Sequence, residues 1–202
     1  MREVVIASAV RTAIGSFGGS LAGFSANELG AVTIKEALKR AGIEAKDVDE
    51  VLLGNVLQAG QGMGPARQAA IKAGIPIEVP ASTINNLCGS GLKSVAMAAD
   101  AILAGQADVI VAGGMESMSN APFLMAKHRG GWKYGHDKLL DHMALDGLED
   151  AYEGLAMGVY ADRAAKEYQF TRAAQDEYAL ETLARAQAAA TNAAFPSPAW
   201  GP

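Results

Sequence analysis

The chain has 202 residues, of which 50% are hydrophobic and 19% charged, and its formal net charge is −5. This composition is typical of a folded α/β protein and argues against a disordered or fibrous chain. The acidic balance, without a basic run, disfavours nucleic acid as a partner, and no apolar stretch is long enough for a membrane span. The sequence starts without a signal-peptide pattern, which predicts a cytoplasmic location.

Strands and helices are predicted to alternate through the first 114 residues. The predicted elements, in chain order, are a strand at 3–9, a helix at 29–38, a strand at 49–57, a helix at 65–73, a strand at 81–84, a helix at 88–103 and a strand at 108–112. Pro65 and Gly74 mark the start and end of the second helix, and Gly113 closes the last strand. This alternation predicts a sheet with helices on both faces.

The pattern changes after residue 114, and a domain boundary is predicted near residue 117. A loop-rich stretch from 127 to 146 shows no strong periodicity. Helical patterns return at 150–168 and 172–190, and Thr171 is available to cap the second of these helices. An α/β region is therefore expected to precede a helical, loop-rich region.

Cysteine and histidine usage excludes several kinds of site. Cys88 is the single cysteine, so an internal disulfide and a cysteine-based zinc site are both excluded. His128, His136 and His142 are not spaced as a helical ligand pair, so no metal site is predicted. These three histidines are interpreted as solvated loop residues.

Cys88 lies where a short strand is predicted to turn, through small residues, into an apolar helix. A helix N-terminus offers unpaired N–H groups and the positive end of the helix dipole, which favour a reactive thiolate. Gly89 and Gly91 leave room for a substrate, and the N–H of Cys88 is available to stabilise an oxyanion. The alternative is a buried cysteine that serves only packing, as free cysteines often do. The Gly-Ser-Gly context favours the nucleophile.

The segment 85–92, Asn-Asn-Leu-Cys-Gly-Ser-Gly-Leu, resembles the acyl-enzyme signature of the thiolase family. Segments 10–15, 54–58, 65–70 and 112–119 resemble further thiolase landmarks in the same order. The resemblance covers residues 1 to about 195. Residues 145–150 and 157–158 are similar to the loop domain of the biosynthetic type, which condenses two acetyl-CoA molecules.

The resemblance implies an α/β fold: a thiolase-like N-terminal α/β domain, with a mixed sheet covered by helices, followed by part of a helical loop domain. The implied boundaries are 1–117 for the α/β domain and 118–195 for the partial loop domain that covers coenzyme A, with a non-family tail at 196–202. The intact family also implies a homo-oligomer, either a dimer or a tetramer.

The function implied by the resemblance is acyl transfer from coenzyme A to carbon, with Cys88 as the catalytic nucleophile. Acyl-CoA or acetyl-CoA is the expected partner, as a substrate, and no further cofactor or metal is expected. Leu148 and Met157 are expected to contact the pantetheine arm of coenzyme A. The residues expected to shape the nucleophile turn are Asn85, Gly89, Ser90 and Gly91.

The sequence departs from the family in its catalytic partners. Full-length thiolases contribute a histidine from a His-Pro motif and a second cysteine from a Cys-Gly motif, and neither motif occurs in these 202 residues. A truncated and largely inactive chain is therefore expected. The alternative function is an inert remnant or interaction module that pairs with a complete thiolase. Ketoacyl synthases also use a cysteine at a helix start, but segment 115–119 argues against them.

Overall fold

The structure is a computed structural model that describes residues 2–191, so the predicted tail at 196–202 lies outside the described residues. The α/β region contains α1 (Ala26–Ala41), β1 (Glu50–Gly54), α2 (Pro65–Ala73), β2 (Ala81–Ile84), α3 (Ser90–Leu103) and β3 (Ile110–Gly114). The later region contains β4 (Phe123–Leu124), β5 (Leu140–Asp141), a π-helical turn (Ala144–Leu148), α4 (Met157–Glu167) and α5 (Arg172–Thr191).

The main sheet has three strands in the order β2-β1-β3, and both strand pairs are parallel. Gly54, the last residue of the central strand, is paired with Ile84 on one side and with Gly114 on the other. The carboxyl ends of all three strands therefore meet at one edge of the sheet. The predicted α/β fold is confirmed, although the described strands of this sheet are parallel only, whereas the resemblance implied a mixed sheet.

The two faces of the sheet are covered by different helices. Val51 and Leu53 of β1 point to the same face and belong to a buried cluster that contains residues of α1 and α2. Leu52 points to the opposite face, where α3 packs across β1 and β3. Val51, Leu52 and Leu53 are all buried, which explains why this strand reads as a continuous apolar run.

Local sequence signals placed several elements correctly. The helix predicted at 65–73 is α2, with Pro65 at its first position and Gly74 in the left-handed region at its end. The strand predicted at 81–84 is β2. Thr171 accepts the N–H of Ala174 through its hydroxyl at 3.1 Å, so the predicted cap of α5 is confirmed.

The strand predicted at 3–9 is absent from the described structure, and Val5 and Ile6 are 71% and 77% exposed. The segment has strand composition, but a strand forms only where a neighbouring strand accepts its hydrogen bonds. The prediction was wrong because composition does not supply that neighbour.

The last strand of the sheet lies two residues later than predicted, at 110–114 rather than 108–112. The N–H groups of Asp108 and Val109 donate to the carboxylate of Asp49, so a side chain takes up these two donors just before the strand begins. These two bonds lower the pKa of Asp49, with Val109 contributing more than Asp108. Gly113 and Gly114 then pair with Leu53 and Gly54, so the two glycines extend the strand instead of closing it.

The N-terminus of α3 approaches the sheet more closely than a side chain at Gly54 would allow. A Cβ atom built on Gly54 would lie 2.6 Å from the carbonyl carbon and the Cβ of Ser90, and 2.7 Å from the nitrogen of Gly91. A Cβ on Gly114 would lie 3.2 Å from the Cα of Gly91. Glycine at 54 therefore sets the distance between the central strand and the helix that follows Cys88.

We expect Gly54→Ala to lower the free energy of unfolding by about 1–3 kcal/mol, because the added methyl group overlaps backbone atoms of α3 that cannot rotate away. Chemical denaturation monitored by circular dichroism measures the change. Gly23→Ala is the matched control, because a Cβ on Gly23 meets nothing within 4 Å. Equal stability of the two variants would contradict the tight contact.

Candidate active site

Cys88 lies in a tight turn that connects the carboxyl end of β2 to α3. The hydroxyl of Ser90 accepts the N–H of Asn86 at 2.8 Å and donates to the carbonyl of Leu87 at 2.5 Å. The side-chain oxygen of Asn85 accepts the N–H of Leu87 at 3.0 Å. Two of the residues expected to shape this turn, Asn85 and Ser90, therefore hold it through side-chain hydrogen bonds.

The residue before the cysteine has an unusual backbone conformation. Leu87 has φ = 49°, in the left-handed region that residues other than glycine rarely adopt. Such a conformation costs on the order of 1–3 kcal/mol and persists only where the surrounding structure fixes it. The hydrogen bonds of Asn85 and Ser90 on either side of Leu87 provide that fixation and turn the next residue outward.

The sequence predicted that Cys88 would lie within the first turn of the helix, but in the structure the cysteine lies before the helix. α3 begins at Ser90, with Gly89 as its N-cap. The N–H groups of Gly89 and Ser90 donate to the carbonyls of Asn86 and Leu87, at 3.1 and 3.0 Å. These two donors are occupied within the turn, so they are not free to stabilise a thiolate as a bare helix N-terminus would.

The thiol of Cys88 is exposed and faces a cavity of about 420 Å³. The cavity is lined by the turn itself, by residues that follow β1 and β3 at the carboxyl edge of the sheet, and by Met143, Gly147 and Leu148 of the later region. In parallel α/β sheets ligands bind at this edge. The structure therefore brings the single cysteine and the predicted pantetheine residue Leu148 to one concave surface.

Met157, the second predicted pantetheine residue, lies outside the wall of this cavity. It is the first residue of α4 and is 47% exposed. An antiparallel bridge between Glu149 and Ala156 nevertheless places Leu148 and Met157 at the two ends of one short loop. Within that loop, the N–H groups of Glu153 and Tyr152 donate to the carboxylate of Asp150, and the bond from Glu153 does most to lower the pKa of Asp150.

The model of the thiolase N-terminal domain matches residues 4–198 of this chain. The chain belongs to the thiolase family. The acetyl-CoA acetyltransferase of Cupriavidus necator is 57% identical over 189 residues, which are 94% of this chain and 48% of that protein. The acetyl-CoA acetyltransferase of Escherichia coli is 56% identical over 196 residues, 96% of this chain and 50% of that protein.

A solved structure agrees with this membership. The Acat5 thiolase from Ascaris suum in complex with coenzyme A superposes with a TM-score of 0.91 and 42% sequence identity, over 96% of this chain and 50% of that chain. The thiolase chain therefore spans about half the length of the relatives it matches. The division into 1–117, 118–195 and 196–202 stays a prediction.

The described part of the thiolase chain, residues 2–191, contains neither a membrane-spanning helix nor a group of metal-binding side chains. No helix there is both long and apolar enough to cross a membrane. No three histidine, cysteine, aspartate or glutamate side chains there are grouped so that they could hold a metal ion.

His142 is buried rather than solvated, with 5% of its surface exposed, which corrects the sequence interpretation. Its Nε2 accepts the N–H of Ala59 at 3.2 Å, so this nitrogen carries no proton. The proton is therefore on Nδ1, which donates to Asp146 at 2.6 Å. His142 thus ties the segment that carries Leu148 to the loop after β1. His128 and His136 are exposed, as predicted.

We expect His142→Ala to lower the free energy of unfolding by about 1–3 kcal/mol, because the N–H of Ala59 loses its acceptor in a part-buried position. Urea denaturation measures the loss. His136→Ala, at an exposed loop position, should leave stability unchanged. A similar effect of both substitutions would argue against a stabilising hydrogen bond between Ala59 and His142.

Proposed function

We propose that this chain carries the nucleophile of an acyl-CoA C-acyltransferase, and that Cys88 receives an acyl group from coenzyme A. The observation that carries the proposal is the exposed thiol of the single cysteine on the wall of a cavity at the carboxyl edge of the sheet. Family membership supports the reaction class. Relatives named acetyl-CoA acetyltransferase and the coenzyme A complex of a thiolase support acetyl-CoA as the acyl donor.

The proposed first step is a thioester exchange. The sulfur of Cys88 attacks the carbonyl carbon of acetyl-CoA and forms a new S–C bond, while the bond between that carbon and the coenzyme A sulfur breaks. The thiol proton of Cys88 ends on the departing coenzyme A sulfur. In this proposal the backbone N–H of Cys88 helps to stabilise the oxyanion of the tetrahedral intermediate, and Leu148 contacts the pantetheine arm.

The second step, transfer of the acetyl group to a carbanion of another acyl-CoA, needs groups that move protons. The carboxylate of Glu116 lies in the cavity wall, but it already accepts N–H groups of Asn55, Val56 and Leu57. His142 is engaged through both ring nitrogens, and His128 and His136 are exposed loop residues outside the cavity wall. We therefore infer that these 202 residues alone acetylate Cys88 slowly and do not condense acetyl-CoA.

Intact-mass spectrometry after incubation with acetyl-CoA tests the nucleophile. We expect the chain to gain the mass of one acetyl group, and Cys88→Ala to gain none, because the acceptor sulfur is gone. Assaying the same sample for acetoacetyl-CoA tests the second step, for which we expect no product. An equal mass gain in Cys88→Ala would contradict the assignment, and condensation at an ordinary enzymatic rate would contradict the inferred dependence on further groups.

A second candidate function is an interaction module that pairs with a complete thiolase. The exposed apolar residues of α3, of which Leu92 is 78% exposed, favour this candidate because such surfaces usually meet another protein. The oligomeric state and the cytoplasmic location remain predictions.

Light scattering after size-exclusion chromatography, with the Escherichia coli acetyl-CoA acetyltransferase as partner, tests the second candidate. If the chain is such a module, it should co-elute with the partner, and Leu92→Asp should abolish co-elution by placing a charge on the apolar surface of α3. Leu180→Asp is the control, because Leu180 is exposed to a similar extent, 68%, on α5. Separate elution of the unmodified chain would leave the acyltransferase as the sole candidate.

A further inference from the structure

Asn55 connects the carboxyl ends of all three strands of the main sheet. It directly follows β1 and is 1% exposed. Its backbone N–H donates to the carbonyl of Ile84, the last residue of β2, at 2.9 Å. Its side-chain nitrogen donates to the carbonyl of Met115 at 3.2 Å and to the carboxylate of Glu116 at 2.7 Å, both just after β3.

Glu116 extends this connection along the cavity wall. Its carboxylate also accepts the N–H of Val56 at 2.9 Å and that of Leu57 at 3.2 Å. The chain after β1 and the chain after β3 are thereby held together by four N–H donors from three consecutive residues. Asn55 and Glu116 both line the cavity that Cys88 faces.

The side-chain oxygen of Asn55 is buried and accepts no hydrogen bond within the described residues. The amide orientation is fixed, because the two partners of the nitrogen, a carbonyl and a carboxylate, can only accept. The position therefore favours asparagine for its two side-chain N–H donors.

We propose that Asn55 is a positioning residue for Cys88, which rests on the proposed function of Cys88 as the acyl acceptor. Ile84, which accepts the N–H of Asn55, lies four residues before the cysteine. The side-chain amide fixes the opposite wall of the cavity through Met115 and Glu116. A single residue thus holds both the segment before Cys88 and the opposite cavity wall, and so fixes the position of the thiol relative to that wall. Reaction of a bound thioester depends on this relative position.

Hydrogen exchange measured by mass spectrometry tests whether Asn55 holds the Cys88 segment in place, without requiring acyl transfer. In Asn55→Ala, residue 55 keeps its backbone N–H bond to Ile84 but loses the side-chain bonds to Met115 and Glu116 that hold residue 55 in place. We therefore expect the amides of residues 84–93 to exchange about tenfold faster, while amides of α1 and α2 keep their protection. No change at 84–93, or an equal change throughout the chain, would overturn the proposal.

A matched control and a second variant separate positioning from general stability. Asn27 is also a buried asparagine, 5% exposed, whose side-chain nitrogen donates to Gln68 at 2.7 Å between α1 and α2. Asn27→Ala should not speed exchange at residues 84–93 more than in the rest of the chain. Asn55→Asp should speed exchange at residues 84–93 at least as much as Asn55→Ala, because a carboxylate at residue 55 has no N–H to donate to the carbonyl of Met115 or the carboxylate of Glu116. Protection equal to that of the unmodified chain would contradict the assigned bonds.

Two reactions of the thiol complete the test. Acetylation by acetyl-CoA requires the thioester to be oriented in the cavity, whereas alkylation by iodoacetamide requires only an accessible thiol. We expect Asn55→Ala to slow acetylation at saturating acetyl-CoA by about tenfold, with alkylation changed less than about twofold. Equal slowing of both reactions would overturn the positioning role. If the unmodified chain is not acetylated at all, the proposed function fails. Hydrogen exchange then still tests, by itself, whether Asn55 holds residues 84–93 in place.

Discussion

The structure depends on the close contact between the N-terminus of α3 and the carboxyl edge of the sheet. Gly54 gives the backbone of Ser90 space that a methyl group would fill, and Gly91 meets Gly114 in the same way. Ser94 strengthens the contact, because its hydroxyl lies 2.7 Å from the carbonyl of Gly113. With these atoms in contact, the short turn between β2 and α3 has little freedom, and Cys88 is carried at its tip.

The same contact explains why the thiol is exposed although helix and sheet are packed. A cysteine within the first turn of α3 would share the crowded position of Ser90, which is buried. Placing Cys88 two residues earlier, after the left-handed Leu87, turns it toward the cavity. Strain at Leu87 and burial at Ser90 therefore have one cause: packing fixes the residues around Cys88 and leaves the thiol itself accessible.

The cavity wall combines distant parts of the chain. Residues after β1 and β3 form one side, and the segment around Leu148 forms another, anchored through His142 to the loop after β1. Acyl transfer needs a nucleophile, an oriented thioester and groups that move protons. The described residues supply Cys88, the proposed nucleophile, and a surface suited to the thioester, which accords with a chain that spans about half the length of its thiolase relatives.

The sequence by itself determined the family, the nucleophile candidate and the elements with local end signals, such as α2 between Pro65 and Gly74. These features depend on residues close together in the chain, so composition and spacing reveal them. Only the tertiary structure decided that segment 3–9 forms no strand, that His142 is buried and that Asn55 bonds to Met115 and Glu116. Each of these depends on partners tens of residues away, and the side chains involved follow no local period. Long-range hydrogen bonds and burial are properties of the folded chain, and sequence spacing carries no record of them.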